Sequence, residues 1–168
     1  MLEDVARQAG YTRGALYHQF TDKEALALAV LHWTDETWRR EVGELVDRES
    51  DPAKALLAMA RGHAVLCRRD VARVAMALRV EFSGRDHPIG RELERVQAGL
   101  VKRVIRLINQ GRKTGSIPPG PPARAVALAL IGALEGAVIT LGGDAPHDER
   151  LAARAAAGVL GLNPEGVT

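Results

Sequence analysis

The chain has 168 residues, 46% apolar, 26% charged and 4% aromatic, which excludes a disordered or collagen-like polymer and leaves room for a real core. Its single cysteine, Cys67, excludes an internal disulfide and fits a reducing cytoplasm, and its first residues read as an amphipathic charged stretch rather than a signal peptide. The net charge of +2 is unevenly spread: Lys and Arg number 6 against 10 Asp and Glu in residues 1–50, 14 against 6 in 51–115, and 3 against 5 in 116–168.

In chain order, Leu2, Val5, Ala6 and Ala9 fall on one face of a short helix that Gly10 stops. Thr12 is a natural N-cap for a second short helix over 13–20, with Leu16 and Phe20 inward and Arg13, Ala15, Tyr17 and His18 outward. Thr21 and Glu24 have capping-box spacing, so a third helix starts near Asp22. It meets no breaker before Ser50-Asp51-Pro52, which makes it roughly 25 residues and about 40 Å long.

Asp51-Pro52 caps the next helix, on which Leu56, Ala60, His63 and Cys67 share a stripe. The pattern restarts at Arg69-Asp70 with Val71, Val74, Ala75, Leu78 and Phe82 expected inward, until Ser83-Gly84. His87-Pro88 opens a long helix on Ile89, Leu93, Val96, Leu100, Val104 and Leu107, which Gly115 closes. The run GSIPPGPP over 115–122 predicts a stiff surface connection. Residues 123–141 are almost wholly apolar, but Glu135 interrupts them and a bilayer needs about 20 apolar residues, so a buried helix of a soluble protein is expected. An alanine-rich helix over 150–162 ends the series. No strand pattern or repeat is present, and the fold class is all-α.

The segment Leu2-Glu-Asp-Val-Ala-Arg-Gln-Ala-Gly-Tyr-Thr-Arg-Gly-Ala-Leu-Tyr-His-Gln-Phe-Thr-Asp-Lys-Glu-Ala-Leu26 resembles the helix-turn-helix of the tetracycline-repressor (TetR-type) family of bacterial transcriptional regulators, and its Thr-Arg-Gly-Ala core looks most like that of the multidrug-efflux repressors. The resemblance implies a DNA-binding headpiece with its linking helix over 1–48 and a ligand-binding and dimerisation domain over 49–168. In such a motif the second helix enters the major groove while flanking elements hold phosphates. By resemblance, Thr12 hydrogen-bonds a phosphate or a base near the helix start, Tyr17 and His18 reach phosphates, and Arg13 supplies a bidentate guanine contact worth ~1–3 kcal/mol of discrimination. Gly14 allows close approach, Ala15 meets a thymine methyl, Lys23 adds charge at a helix start facing phosphate, and Tyr11 in the turn is a further candidate.

Two departures qualify the resemblance. Gln19 stands where the family usually has histidine, so that contact carries no charge. The family's first helix has no counterpart ahead of Leu2. Val5, Ala9, Leu16, Phe20 and Leu26 would therefore face water, and the expectation is that the natural protein carries more residues before Met1. The acidic balance of residues 1–50 also argues against this end as a DNA site on charge alone, because phosphate neutralisation supplies much of nucleic-acid affinity.

The resemblance further implies a small-molecule cavity among the middle helices. Its candidate lining is Trp33 and Trp38, then Met59, His63 and Cys67, then Met76, Arg79 and Phe82, and finally Gln97 and Val101. Gly132 and Gly136, one turn apart, with Leu151, Ala155, Val159 and Leu162, form an apolar surface too large for a monomer to expose, which predicts a two-fold homodimer through a four-helix bundle.

No cofactor or metal site is expected: His63 and Cys67 alone are two ligands without a third. No phosphate loop, HExxH or nucleophile set is present, and His147-Asp148-Glu149 reads as a charged helix start. The resemblance thus implies a cytoplasmic, ligand-responsive repressor released from a palindromic double-stranded operator by a small apolar or amphipathic molecule. The alternative is a helical dimerisation and ligand-sensing protein without DNA binding, its headpiece being incomplete.

Overall fold

A computed structural model describes residues 12, 14, 18–141 and 147–163, and every regular element among them is helical. Helix α1, Lys23–Trp38, starts at an extended Asp22 (φ −158°) whose Oδ1 accepts the Ala25 N–H at 2.8 Å. The cap is thus Asp22 rather than the Thr21–Glu24 box expected from spacing, because the shorter carboxylate already sits over the first turn. Beyond Trp38 the linking helix is not uniform: it passes through a π-helical turn, Arg39–Gly43, and resumes as Glu44–Arg48.

Helix α2, Pro52–Leu66, is capped as the sequence predicts, with Asp51 Oδ1 accepting from Ala53 N–H at 2.8 Å and Lys54 N–H at 3.4 Å. Helix α3 is Asp70–Phe82. Helix α4, Pro88–Thr114, has Pro88 in its first turn and His87 Nδ1 accepting the Ile89 N–H, and it ends at a left-handed Gly115 (φ +82°), a backbone conformation that glycine enters without a Cβ penalty. Helices α5, Ala123–Leu141, and α6, His147–Leu160, complete the bundle.

The main core lies where α2, α4, α5 and α6 meet the far end of the linking helix. Leu56 and Met59, Val104 and Ile108, Leu130, Ala156 and Val42 are each 1% exposed or less. A second, smaller cluster joins Leu31 of α1 to Ile89 and Leu93 of α4, with Ala75, Leu78 and Phe82 of α3 against it.

Three expectations are corrected. On α3 only Ala72 is fully buried, Val71, Ala75, Leu78 and Phe82 are partly buried, and Val74 is 49% exposed. The helix leans on the flank of α1 and α4 rather than entering the main core, and valines at 71, 74 and 80 surround it instead of marking one face. The proline-rich connection is not wholly superficial: Ile117 is 2% exposed, its N–H donates to the Gly111 carbonyl at 3.1 Å, and its side chain occupies the space that Gly111 leaves. Helix α6 starts at His147, and Asp148 in its first turn is buried.

Helix α5 is long and apolar enough to cross a membrane by length and composition. One face of it, with Val126, Ala127, Leu130 and Leu134, belongs to the main core. The other is open, with Leu128 and Ile139 exposed.

Candidate functional site

Because α3 sits beside α1 and α4 instead of between α2 and α5, a space remains among helices α1 to α5. It is a cavity of about 340 Å³. Helix α1 gives it Leu31, Thr34, Asp35 and Trp38, and α2 gives Met59, His63 and Cys67, spaced four apart on one face. Helix α3 adds Ala72, Ala75, Met76 and Arg79, α4 adds Leu93, Val96 and Leu100, and α5 adds Ile131, Leu134 and Glu135.

Most of this lining is aliphatic or thioether, and the polar groups are few. Arg79 Nη1 donates to Glu135 Oε1 at 2.7 Å, tying α3 to α5 across the wall, with side chains 23% and 29% exposed. Cys67 Sγ lies 3.6 Å from His63 Nε2. Burial, aided by the nearby Arg79 charge, holds His63 down at about 4, so the imidazole is neutral at physiological pH. Burial first and the Glu135 carboxylate second push the Cys67 thiol up to about 11, against the pull of Arg79. The pair is a neutral, weakly polar patch.

Around the opening, Arg39, Arg95 and Arg103 also line the cavity. Arg95 pairs with Glu92 at 2.7 Å and approaches Asp35 at 3.8 Å. Arg103 donates through Nη2 to the Gly43 carbonyl at 3.0 Å and to Asp47 Oδ1 at 2.8 Å, so one wall residue holds a backbone carbonyl of the π turn. Arg69, at the start of α3, grips Glu41 of the same turn through two N–H donors at 2.9 and 2.6 Å.

Of the residues singled out from sequence, Trp38, Met59, His63, Cys67, Met76 and Arg79 are brought together here. Trp33 is 52% exposed on the outer side of α1, and Phe82 stacks on His87 with ring centroids 4.7 Å apart. Gln97 is partly buried and Val101 buried on α4, neither at the cavity. Sequence reasoning missed Glu135 as lining, although a lone carboxylate in an apolar helix was a usable signal.

Of the residues that the resemblance assigns to DNA, Thr12, Gly14, His18 and Lys23 are exposed, whereas Tyr11, Arg13, Ala15 and Tyr17 lie outside the described residues. A Cβ at Gly14 would meet nothing within 4 Å. Phe20 and Leu26 are partly buried, and Val5, Ala9 and Leu16 lie outside the described residues. Glu24, in the first turn of α1, meets His87 Nε2 at 3.3 Å, which fastens the start of the linking helix to the start of α4.

On the open side of α5, Gly132 and Gly136 are exposed, and a Cβ on either would meet nothing within 4 Å. Leu151 of α6 is 40% exposed. Ala155, Val159 and Leu162 are partly buried, the last two against the main core.

Residues 1–30 match the family model described as bacterial regulatory proteins, tetR family. The fold is that of solved TetR-family regulators. It superposes on a TetR-family transcriptional regulator from Streptomyces coelicolor with a TM-score of 0.75 at 21% identity, over 95% of this chain and 82% of that one. PfmR, a TetR-family regulator from Thermus thermophilus, gives 0.79 at 15% identity over 96% and 88%. AibR, solved in complex with isovaleryl coenzyme A and operator DNA, gives 0.77 at 19% identity over 98% and 87%. No curated protein matches the sequence significantly.

Proposed function

We propose that this chain, with a TetR-type N-terminal segment and a TetR-type fold, is a DNA-binding transcriptional regulator that responds to a ligand. In this reading it is a repressor, released from its operator by a small apolar or amphipathic molecule. The observation that carries the proposal is the double role of α1. The helix leaves the segment that matches the family and forms a wall of the cavity through Leu31, Thr34, Asp35 and Trp38.

A molecule bound between α1 and α3–α5 that favours one setting of α1 over another shifts the headpiece by its differential affinity alone. Coupling of ~1–3 kcal/mol, typical of such linkages, changes operator affinity roughly 5- to 150-fold. The division of labour follows as residues 1–48 for DNA and 49–168 for ligand and dimer. Thr12, Arg13, Gly14, Ala15, Tyr17, His18 and Lys23, with Tyr11 beside them, are the DNA-side residues of this reading. A palindromic operator needs two headpieces, one per half-site about 34 Å apart. The open faces of α5 and α6, with Gly132, Gly136 and Leu151, support a two-fold dimer as the source of the second.

Binding rather than catalysis is the activity proposed. A thiol held near 11 and an imidazole held near 4 make a poor nucleophile and a poor base at neutral pH. A cytoplasmic location goes with the role.

The test is binding of the full-length protein to a duplex from its own promoter region. Affinity should fall steeply with salt, and Arg13→Ala should weaken binding and relax discrimination at one base position by ~1–3 kcal/mol. A second reading, a ligand-sensing dimer without DNA binding, draws on the 6 basic against 10 acidic residues in the first 50. Salt-independent or absent binding to that duplex would favour it.

A further inference from the structure

The chemistry of the cavity narrows the class of molecule that fits it, given the reading that the cavity holds an effector. Arg79 is the most informative group. A guanidinium carries five N–H donors in a planar fork, and among the described residues Glu135 is the one partner of Arg79, taking a single Nη1 donor. Its side-on edge, Nε with Nη2, is left for something else, and that edge matches the two oxygens of a carboxylate.

The other cations of the lining are already engaged: Arg39 pairs with Asp35, Arg95 with Glu92 and Arg103 with Asp47, which leaves the Arg79 edge as the charged group open to a ligand. An ammonium would have to compete with Arg79 for Glu135. A neutral alcohol would leave the fork edge unmatched. An anion of the right shape meets neither penalty, and neutral His63 beside it can donate or accept one further hydrogen bond.

We propose that the effector is an amphipathic organic acid whose carboxylate is taken side-on by Arg79, with its hydrocarbon part among Met59, Met76, Leu93 and Leu134. Arg79 is then the specificity-determining residue of the site. The Arg79–Glu135 pair acts as its holder, fixing the fork between α3 and α5 so that little side-chain freedom is lost on binding.

The experiment uses three probes of equal chain length, decanoate, decanol and decylamine, titrated into the full-length protein by calorimetry at pH 7.5. Decanoate should bind at least about 10-fold more tightly than either of the others, as a charge-assisted bidentate contact requires. In Arg79→Gln decanoate should fall to the level of decanol, while decanol itself changes by less than about twofold. Arg79→Lys should keep part of the preference, since a point charge remains without the fork. If Arg79→Gln fails to fold, the ranking in the natural protein and in Arg79→Lys decides the matter. Decanol binding as well as decanoate would overturn the acid class and leave the cavity reading intact. No binding by any of the three would overturn both.

Discussion

Arg68, just beyond the end of α2, and Asp148, in the first turn of α6, meet through two parallel bonds: Nη2 lies 2.7 Å from Oδ1 and Nε 2.9 Å from Oδ2. The same Nη2 reaches Glu149 at 2.6 Å. Eighty positions apart in sequence, the two ends are fixed to one another with Asp148 only 3% exposed. The hydrogen bonds from Arg68, more than its Coulombic pull, hold the Asp148 carboxyl below the usual aspartate range.

A depressed carboxylate contributes stability that is present above its unfolded value near 4 and is lost as pH falls through the lower folded value. Asp148→Asn should therefore melt at a lower temperature than the natural protein at pH 7, and the difference should shrink below pH 4. Thermal melts from pH 7 to 3 measure it. A difference that stays constant with pH would show that Arg68 does not act through the Asp148 charge.

His63 governs a different window. Its folded value of about 4 lies below the ordinary 6.5, so above 6.5 it is neutral in both states and contributes no pH dependence. As pH falls from 6.5 toward 4 only the unfolded chain takes up the proton, and stability declines by on the order of 3 kcal/mol over that interval. His63→Gln should flatten this acid limb. Urea midpoints of both proteins between pH 7 and 4 decide it, and equal slopes would place the loss elsewhere.

Gly111 and Ile117 share one small volume. A Cβ at Gly111 would lie 2.6 Å from Ile117 Cγ1 and Cδ1, so Gly111→Ala overpacks the site and should cost ~1–3 kcal/mol. Ile117→Ala empties it and should cost ~2–5 kcal/mol. The double variant should cost clearly less than the sum, because the new methyl enters the space the isoleucine vacated. Additive values from urea unfolding would contradict this packing.

The open face of α5 allows a test of assembly apart from folding. Gly136→Arg places a charged side chain where a Cβ meets nothing within 4 Å and replaces a helix-interior glycine, so helix content and stability of the separate subunit should not fall. Sedimentation at micromolar concentration should move from dimer to monomer. A variant that remains dimeric would remove this face from the interface.

Much of the helical order was legible because its punctuation is chemical: proline fixes φ at Asp51-Pro52 and His87-Pro88, Gly115 tolerates the left-handed conformation that other residues avoid, and each marks a helix end in the fold. Which way a helix faces was legible only where apolar residues form a single stripe. Leu56, Ala60 and Cys67 do so and are buried, while the valines of α3 do not and Val74 and Val80 are exposed. Trp33 and Trp38 illustrate the same limit within the site. Five positions apart, they stand about 140° from each other around an α-helix, and composition alone gives no reason why the second lines the cavity. The Arg68–Asp148 and Arg79–Glu135 pairs were out of reach for a further reason, since ion pairs across 80 and 56 positions depend on how whole helices dock.

The π turn divides the linking helix between two very unequal anchorages. Before it, Leu31 is secured in a cluster of three buried side chains with Ile89 and Leu93, whereas Val42 within it and Val46 beyond it belong to one of nineteen. Local opening free energies scale with how much buried apolar contact an opening disrupts. The part of α1 before the π turn, which shares residues with the family-matched segment, is therefore expected to open at lower cost than the larger cluster, so that the protein is built like a handle on a soft wrist and a firm forearm.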